Sequence, residues 1–143
     1  MIATQNAVEI KKVVDAQLKL NGVIEKTPFT LSLNLSEELN ASIFLKREDM
    51  QVVRSYKIRG AYNKIGSLTD AEKKQGVVCA SAGNHAQGVA FACNKLGIQG
   101  KIFMPVTTPQ QKVKQVKWFG KSFVEVILVG DTFDDSSSEA TRY

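Results

Sequence analysis

Two short runs of residues in this chain could carry chemistry together. The first run, residues 55–60, contains Lys57, whose amine could form an imine with an aldehyde. The second run, residues 81–85, begins 24 residues after Lys57 with small and polar residues at the predicted start of a helix. Because free N–H groups at a helix start bind carboxylates and phosphates, the pair suggests amino-acid chemistry on an aldehyde cofactor.

Each run also has an ordinary structural explanation. Lys57 lies between Arg54 and Arg59 and could be a surface lysine of a basic turn. A Ser or Asn before a helix is commonly its N-cap. His85, the single histidine, could act as a base or could merely orient the turn. Neither run by itself decides the function.

Composition and charge narrow the class of protein. The chain has 143 residues, 43% hydrophobic and 23% charged, which is typical of one globular domain. It has no apolar stretch of membrane-spanning length, and residues 1–6 lack the blocks of a secretion signal, so we expect a cytoplasmic protein. The net charge of +5 includes a basic stretch around Trp118, which we interpret as a solvated face and not as a nucleic-acid site.

Several competing motifs are missing from the sequence. No Gly-x-Gly-x-x-Gly opens the helix at residue 84, and there is no P-loop pattern. Cys79 and Cys93 do not have a zinc-ligand spacing and lie in apolar segments, where buried free thiols are expected. We therefore predict no metal site.

The elements that must position the two runs are predicted to alternate between strands and helices. We predict strands at 42–46, 77–80, 101–104 and 123–129, and helices at 8–20, 33–39, 58–68, 69–76, 84–96, 109–119 and from 132 onward. This order indicates an α/β fold, an open parallel twisted sheet of about four strands with helices on both faces. Residues 81–85 would then lie at the carboxyl end of a strand, where such sheets bind ligands.

The two runs and their surroundings also resemble one known family. Residues 45–51 (Leu-Lys-Arg-Glu-Asp-Met-Gln) and 55–63 resemble the cofactor-lysine segment of threonine dehydratases, which are tryptophan-synthase-β-like (fold type II) pyridoxal-phosphate enzymes. Residues 81–90 resemble the substrate loop of that family, and residues 104–109 and 129–133 are similar to it as well. The similarity covers nearly the whole chain in the expected order. The Lys-Arg-Glu-Asp form is more similar to the biosynthetic enzymes of the family than to the degradative ones or to serine racemase.

The resemblance implies a role for each residue of the two runs. Lys57 would hold pyridoxal 5'-phosphate through an imine and would remove the substrate's α-proton. Tyr56, which stands where the family usually has Phe, would pack near the cofactor, and Asn84 would hydrogen-bond its ring hydroxyl oxygen. The substrate carboxylate would be bound by Ser81, Ala82, Gly83, Asn84 and His85.

The implied reaction is the dehydration and deamination of L-threonine to 2-oxobutanoate and ammonia, a lyase step of isoleucine biosynthesis. Residues 1–45 would pack on a larger domain, and residues 46–143 would form the small α/β domain. The loop that cradles the cofactor phosphate would lie beyond Tyr143, so we expect an incomplete and inactive piece. The expected partners are an amino-acid substrate and further copies of the enzyme, with no nucleic acid and no membrane.

Two alternatives to threonine dehydration stay open. Serine racemase and serine dehydratase belong to the same resemblance, and the choice of substrate depends partly on residues outside this segment. A module that keeps the fold without the chemistry is the alternative from another class. Retention of both Lys57 and Asn84 argues against that module, because neither residue is needed to build the sheet.

Overall fold

The computed structural model describes residues 8–143, so the prediction made on residues 1–6 lies outside the described part. Five strands and seven α-helices occur in this part, together with 3-10 turns at Glu48–Met50 and Lys121–Phe123. In chain order they are α1 Ile10–Leu20, β1 Phe29–Leu31, α2 Leu33–Glu38, β2 Phe44–Lys46, α3 Lys57–Gly66, α4 Asp70–Gln75, β3 Val77–Ala80, α5 Asn84–Leu96, β4 Gly100–Met104, α6 Gln110–Gly120, β5 Val124–Leu128 and α7 Phe133–Arg142.

The parallel sheet has three strands in the order β3-β4-β5. Val77, Gly100 and Val124 are in register across the three strands, and all pairings are parallel. Parallel neighbours need a crossover, and α5 and α6 supply one each, as the alternation in the sequence predicted. The carboxyl ends of all three strands therefore meet at one edge.

Helices cover both faces of this sheet, as predicted. Ile102 and Met104 of β4 belong to the core formed with α5, and both are fully buried. Phe103 points to the opposite face because side chains alternate along a strand, and its ring contacts Tyr143 with a centroid distance of 6.0 Å. Tyr143 follows α7 directly, so α7 covers the second face.

The core lies between the sheet and the helices α3, α5 and α6. Ile58 and Ile65 of α3, Val89 of α5 and Val116 of α6 are among its buried members. Both cysteines are free thiols, as predicted, and Cys93 is fully buried whereas Cys79 is partly buried. Burial raises the pKa of Cys79 to about 12 and that of Cys93 to about 11.

The prediction of about four strands in one parallel sheet needs a correction. The strand predicted at 42–46 forms β2, which pairs antiparallel with β1 in a separate two-stranded sheet. Phe29 and Phe44 stack across this pair with ring centroids 5.2 Å apart. Strand β1 was not predicted, because it is three residues long and follows directly on the break at Thr27-Pro28.

Within residues 8–143, none of the helices is long and apolar enough to cross a membrane. Helix α1 lies within the helix predicted at 8–20, and its apolar side chains are largely uncovered. Ile10 is 81% exposed and Leu18 is 70% exposed, whereas Leu20 is buried. Helix α1 therefore presents an apolar face to the outside.

Candidate active site

Lys57 is the first residue of α3, and a local hydrogen bond holds its backbone in place. Its backbone N–H donates to the hydroxyl of Ser55 at 3.2 Å, and Ser55 is buried. The side chain of Lys57 is exposed, with its Nζ 5.2 Å from the ring centroid of Tyr56. The amine is thus accessible to a ligand while the backbone that carries it is fixed.

The loop before Lys57 is anchored by two buried side chains. Gln51 is 1% exposed, and its amide exchanges two hydrogen bonds with the backbone of Glu25, at 3.1 and 2.9 Å. Val53 is fully buried in the core. Arg54, which follows Val53, adopts a left-handed backbone with φ of 57° and turns the chain toward α3. The approach to Lys57 is therefore a defined structure.

An ion pair ties α3 to the segment before this loop. Glu48 accepts two hydrogen bonds from Arg59, at 2.7 Å from Nε and 2.8 Å from Nη2. Thr27 adds a hydroxyl donor to the same carboxylate at 2.6 Å. These donors, Arg59 foremost, lower the pKa of Glu48 to about 2. Arg59 lies two residues after Lys57, so the pair fixes the first turn of α3.

The start of α5 keeps its backbone donors free. Its N-cap is Gly83, in an extended conformation, and no side chain caps the helix. The hydroxyl of Ser81 accepts from the N–H of Gly83 at 3.3 Å. Among the described residues, no acceptor receives a hydrogen bond from the N–H groups of Asn84, His85 or Ala86. The start of α5 is therefore not capped by a Ser or Asn side chain, as the ordinary structural explanation required. Its free N–H groups are suited to binding an anion.

The structure brings Lys57 and the start of α5 together. Helix α3 packs on α5 with the carbonyl of Lys57 against Gly88, one turn after His85. Burial lowers the pKa of His85, and the positive charge of Lys57 lowers it further. His85 also lines a cavity of about 380 Å³ between α3 and β3. The predicted lysine run and the predicted anion-binding run are thus neighbours in space.

These residues fit the demands of pyridoxal phosphate and an amino acid. An exposed amine is available for an imine, an aromatic ring lies next to it, and uncapped helix donors lie nearby for an anion. Among residues 8–143, no group of three His, Cys, Asp or Glu side chains could hold a metal ion. The residues therefore offer an exposed amine with unpaired backbone donors nearby.

A family profile described as "Pyridoxal-phosphate dependent enzyme" matches residues 20–143. This match covers most of the chain. The chain belongs to the family of pyridoxal-phosphate dependent enzymes. The resemblance stated from the motifs is thereby confirmed at the level of the family, and so is the cofactor.

The relatives of the chain carry one recurrent name. The chain is 58% identical over 136 residues to "L-threonine dehydratase biosynthetic IlvA" of Halalkalibacterium halodurans, covering 95% of this chain and 33% of that protein. It is 53% identical over 142 residues to the protein of the same name from Bacillus subtilis, covering 99% and 34%. The chain thus spans about a third of the length of the curated relatives it matches.

Solved structures give the same picture. The processed form of threonine deaminase isoform 2 from Solanum lycopersicum superposes with a TM-score of 0.83 at 42% identity, covering 93% of this chain and 38% of that one. Maize serine racemase superposes with a TM-score of 0.86 at 31% identity, covering 96% and 41%. The predicted fold class is confirmed by these neighbours.

Sequence reasoning missed the side chains that hold the site in place. In the sequence, residues 45–51 stand out only through the family resemblance, whereas in the structure Glu48 is the centre of a network with Thr27, Gln51 and Arg59. The partners of Glu48 are 21, 3 and 11 residues away along the chain. No periodicity links such positions, so only the fold reveals them.

Proposed function

We propose that this chain carries the cofactor lysine and the substrate loop of a pyridoxal-phosphate-dependent threonine dehydratase. The observation that carries the proposal is the exposed amine of Lys57 beside the uncapped start of α5. The names of relatives at 53% and 58% identity support threonine as the substrate. The reaction would convert L-threonine to 2-oxobutanoate and ammonia, as a lyase of isoleucine biosynthesis.

In this proposal Lys57 has two roles at the same nitrogen. Its Nζ would hold the cofactor aldehyde, and the same amine, once free, would take the α-proton of the substrate. Pyridoxal phosphate, when bound, supplies the electron-withdrawing ring that makes this proton acidic. Positioning of the amine next to that carbon provides the rate advantage of an intramolecular reaction.

The start of α5 would bind the two anionic or polar groups of the ligands. The free N–H groups of Asn84 and His85, together with Ser81, Ala82 and Gly83, would receive the substrate carboxylate at the positive end of the helix dipole. The Asn84 side chain would hydrogen-bond the ring hydroxyl oxygen of the cofactor. Tyr56 would pack near the cofactor, and His85 would face the carboxylate in its neutral form.

The exposed apolar face of the N-terminal part supports the proposed division of the chain. Residues 1–45 would pack on the part of the enzyme that relatives possess beyond the matched third, and residues 46–143 would form the small domain. Phe29 is 65% exposed and Ile10 is 81% exposed, which is unusual for large apolar side chains left to solvent. The cytoplasmic location and the homo-oligomer predicted from the sequence stay predictions.

A chimera tests the proposed activity. The full chain replaces the matching segment of the Halalkalibacterium halodurans relative, and 2-oxobutanoate formation from threonine is measured with and without the Lys57→Ala substitution. We expect activity that disappears in Lys57→Ala. A folded chimera that binds the cofactor but leaves threonine unchanged would refute the proposal. The 143 residues alone are expected to bind the cofactor weakly and not to turn over threonine.

Serine chemistry is the second candidate, because maize serine racemase superposes on the chain with a TM-score of 0.86. The same chimera distinguishes the candidates when it is supplied with L-serine. Formation of D-serine or a strong preference for serine over threonine would favour this alternative. We expect threonine to be preferred, in line with the names of the relatives at higher identity.

A further inference from the structure

Helices α3 and α5 contact each other through a glycine at the position of the predicted cofactor lysine. An added Cβ at Gly88 would lie 3.1 Å from the carbonyl oxygen of Lys57 and 3.2 Å from its carbonyl carbon. It would also lie 3.3 Å from the backbone nitrogen of Ile58. Ordinary contacts between carbon atoms are about 3.5–4.0 Å. A side chain at position 88 would therefore press on the first peptide of α3.

The neighbours of Gly88 cannot yield easily. They are backbone atoms, and Ile58, which follows Lys57, is fully buried. The backbone of Gly88 is helical with no positive φ, so its conformation alone would accept any residue. A glycine inside a helix weakens the helix relative to alanine. Glycine is therefore required at position 88 because the two helices leave no space for a side chain between them.

We propose that Gly88 is a positioning residue, which sets the distance of Lys57 from the start of α5 by leaving no side chain between the helices. The inference rests on the proposed function, since it concerns the lysine that holds the cofactor. Substitution by alanine would move the first turn of α3 away from α5 by a few tenths of an ångström. The Nζ of Lys57 would move with it, away from the donors that bind the other groups of the ligands.

The chain offers two matched controls. Gly60 is also inside a helix, in α3, and an added Cβ there would meet nothing within 4 Å. Gly100 starts β4, and an added Cβ there would lie 2.7 Å from the sulfur of Cys93. Gly60→Ala controls for the gain in helix propensity. Gly100→Ala introduces a clash at the amino end of β4, away from the carboxyl ends where the site lies. It therefore controls for a general loss of stability.

The first measurement is the labelling of Lys57 in the chimera that contains the full chain. Each protein is incubated with increasing pyridoxal phosphate, reduced with borohydride, and the label on the Lys57 peptide is quantified by mass spectrometry. We expect Gly88→Ala to need about tenfold more cofactor for half labelling, since sub-ångström misplacement is costly for reacting groups. Gly60→Ala and Gly100→Ala should label like the unsubstituted chimera. Equal labelling of Gly88→Ala, or equal loss in Gly100→Ala, would overturn the proposal.

The second measurement does not involve the cofactor. The chain has a single histidine, His85, so its titration is followed by NMR without ambiguity. Because the charge of Lys57 lowers the pKa of His85, removing that charge in Lys57→Met should raise it. Gly88→Ala should raise it by a smaller amount, and Gly60→Ala should leave it unchanged. An unchanged titration in Gly88→Ala would contradict the displacement of Lys57.

A second variant keeps the proposal testable if Gly88→Ala alone does not fold. Gly88→Ala is also made in the Gly60→Ala background, where α3 gains helix propensity. If the unsubstituted chimera labels other lysines as readily as Lys57, the proposed function fails. The titration of His85 then still decides whether Gly88 sets the place of Lys57. The two failures are thereby distinguishable.

Discussion

Glu48 is the residue whose environment differs most from that of a solvated carboxylate. Its side chain is 16% exposed and accepts hydrogen bonds from Arg59 and Thr27. Two parallel N–H···O bonds to a guanidinium are among the strongest pairings available to a carboxylate. Removing one partner of such a pair leaves the other charge without compensation. The first turn of α3 therefore depends on Glu48.

Glu48→Gln should destabilise the chain at pH 7 by roughly 2 kcal/mol, because Arg59 loses its ionised partner. The folded-state pKa of Glu48 is about 2, below the ordinary 4.5. Its contribution is therefore present above pH 4.5 and is lost as the pH falls toward 2. Urea unfolding at several pH values measures this. The difference between the variant and the original chain should shrink in acid.

The control for this prediction is Asp49→Asn. Asp49 pairs with Arg47, but both side chains are exposed, at 60% and 44%. Exposed ion pairs contribute little to stability, so we expect unfolding like that of the original chain. A Glu48→Gln variant as stable as Asp49→Asn at pH 7 would contradict the role given to the Arg59 pair.

Two buried threonines should respond oppositely to the same substitution. The hydroxyl of Thr108 has no hydrogen-bond partner among the described residues, whereas that of Thr27 donates to Glu48 at 2.6 Å. Thr108→Val removes an unsatisfied polar group and should leave stability unchanged or raise it by about 1 kcal/mol. Thr27→Val should lower it by roughly 1–2 kcal/mol. Urea unfolding of the two variants measures these changes. Equal losses of stability would contradict the different hydrogen bonding of the two hydroxyls.

The site could be predicted from the sequence only as far as its chemistry is local. Lys57 and the run from Ser81 to His85 stand out because reactive and small polar residues cluster within a few positions. The Glu48 network and the contact at Gly88 join positions that no local pattern connects. Their roles follow from packing, which a single sequence does not display.

At the scale of elements, helix caps are features that local sequence predicts well. Thr69 and Glu72 form a capping box at the start of the helix predicted at 69–76, with the hydroxyl of Thr69 accepting from the N–H of Glu72. Thr132 caps α7 in the same way, at the start of the helix predicted from 132 onward. A cap involves residues three positions apart, so it is visible without knowledge of the fold.

Thr69→Ala should lower the stability of the chain by about 1 kcal/mol, because the first turn of α4 loses its cap. The matched control is Thr141→Ala in the last turn of α7, where the hydroxyl donates back to Ser137. Alanine is the better helix former at such a position, so this variant should be at least as stable as the original chain. Thermal unfolding measures both. The prediction is wrong if the two variants melt together.

Strand pairing was the element-scale feature that the sequence did not predict completely. The strands β3, β4 and β5 are apolar runs separated by helices, a pattern that requires a parallel sheet. β1 and β2 are three residues each, too short for a periodic signal. Their pairing depends on the return of the chain after α2, where Ser32 donates to the carbonyl of Ile43.

At the scale of the whole molecule, the apolar side chains are distributed unevenly. The core between α3, α5, α6 and the sheet is well buried, whereas α1 and β1 expose large apolar groups. An exposed face of this kind indicates a surface that is covered in a larger assembly. This distribution supports the proposed packing of residues 1–45 on the rest of the enzyme.

Charged substitutions on the exposed apolar face of α1 should change the melting temperature of the chimera but not that of the full chain alone. Val13→Asp and Leu18→Asp place charges at side chains that are 57% and 70% exposed, so the melting temperature of the full chain should not change. In the chimera the same substitutions should lower the melting temperature, because the charges would be buried without partners. Melting curves of both proteins check this. A chimera that tolerates the charges would show that the face stays uncovered.

The most direct test of the central claim is to map where the cofactor becomes attached. The active chimera is reduced with borohydride in the presence of pyridoxal phosphate, digested, and its peptides are analysed by mass spectrometry. We predict that the label lies on Lys57, that threonine added before reduction diminishes it, and that Lys57→Ala abolishes it. A label on another lysine, in an enzyme that is still active, would contradict the account.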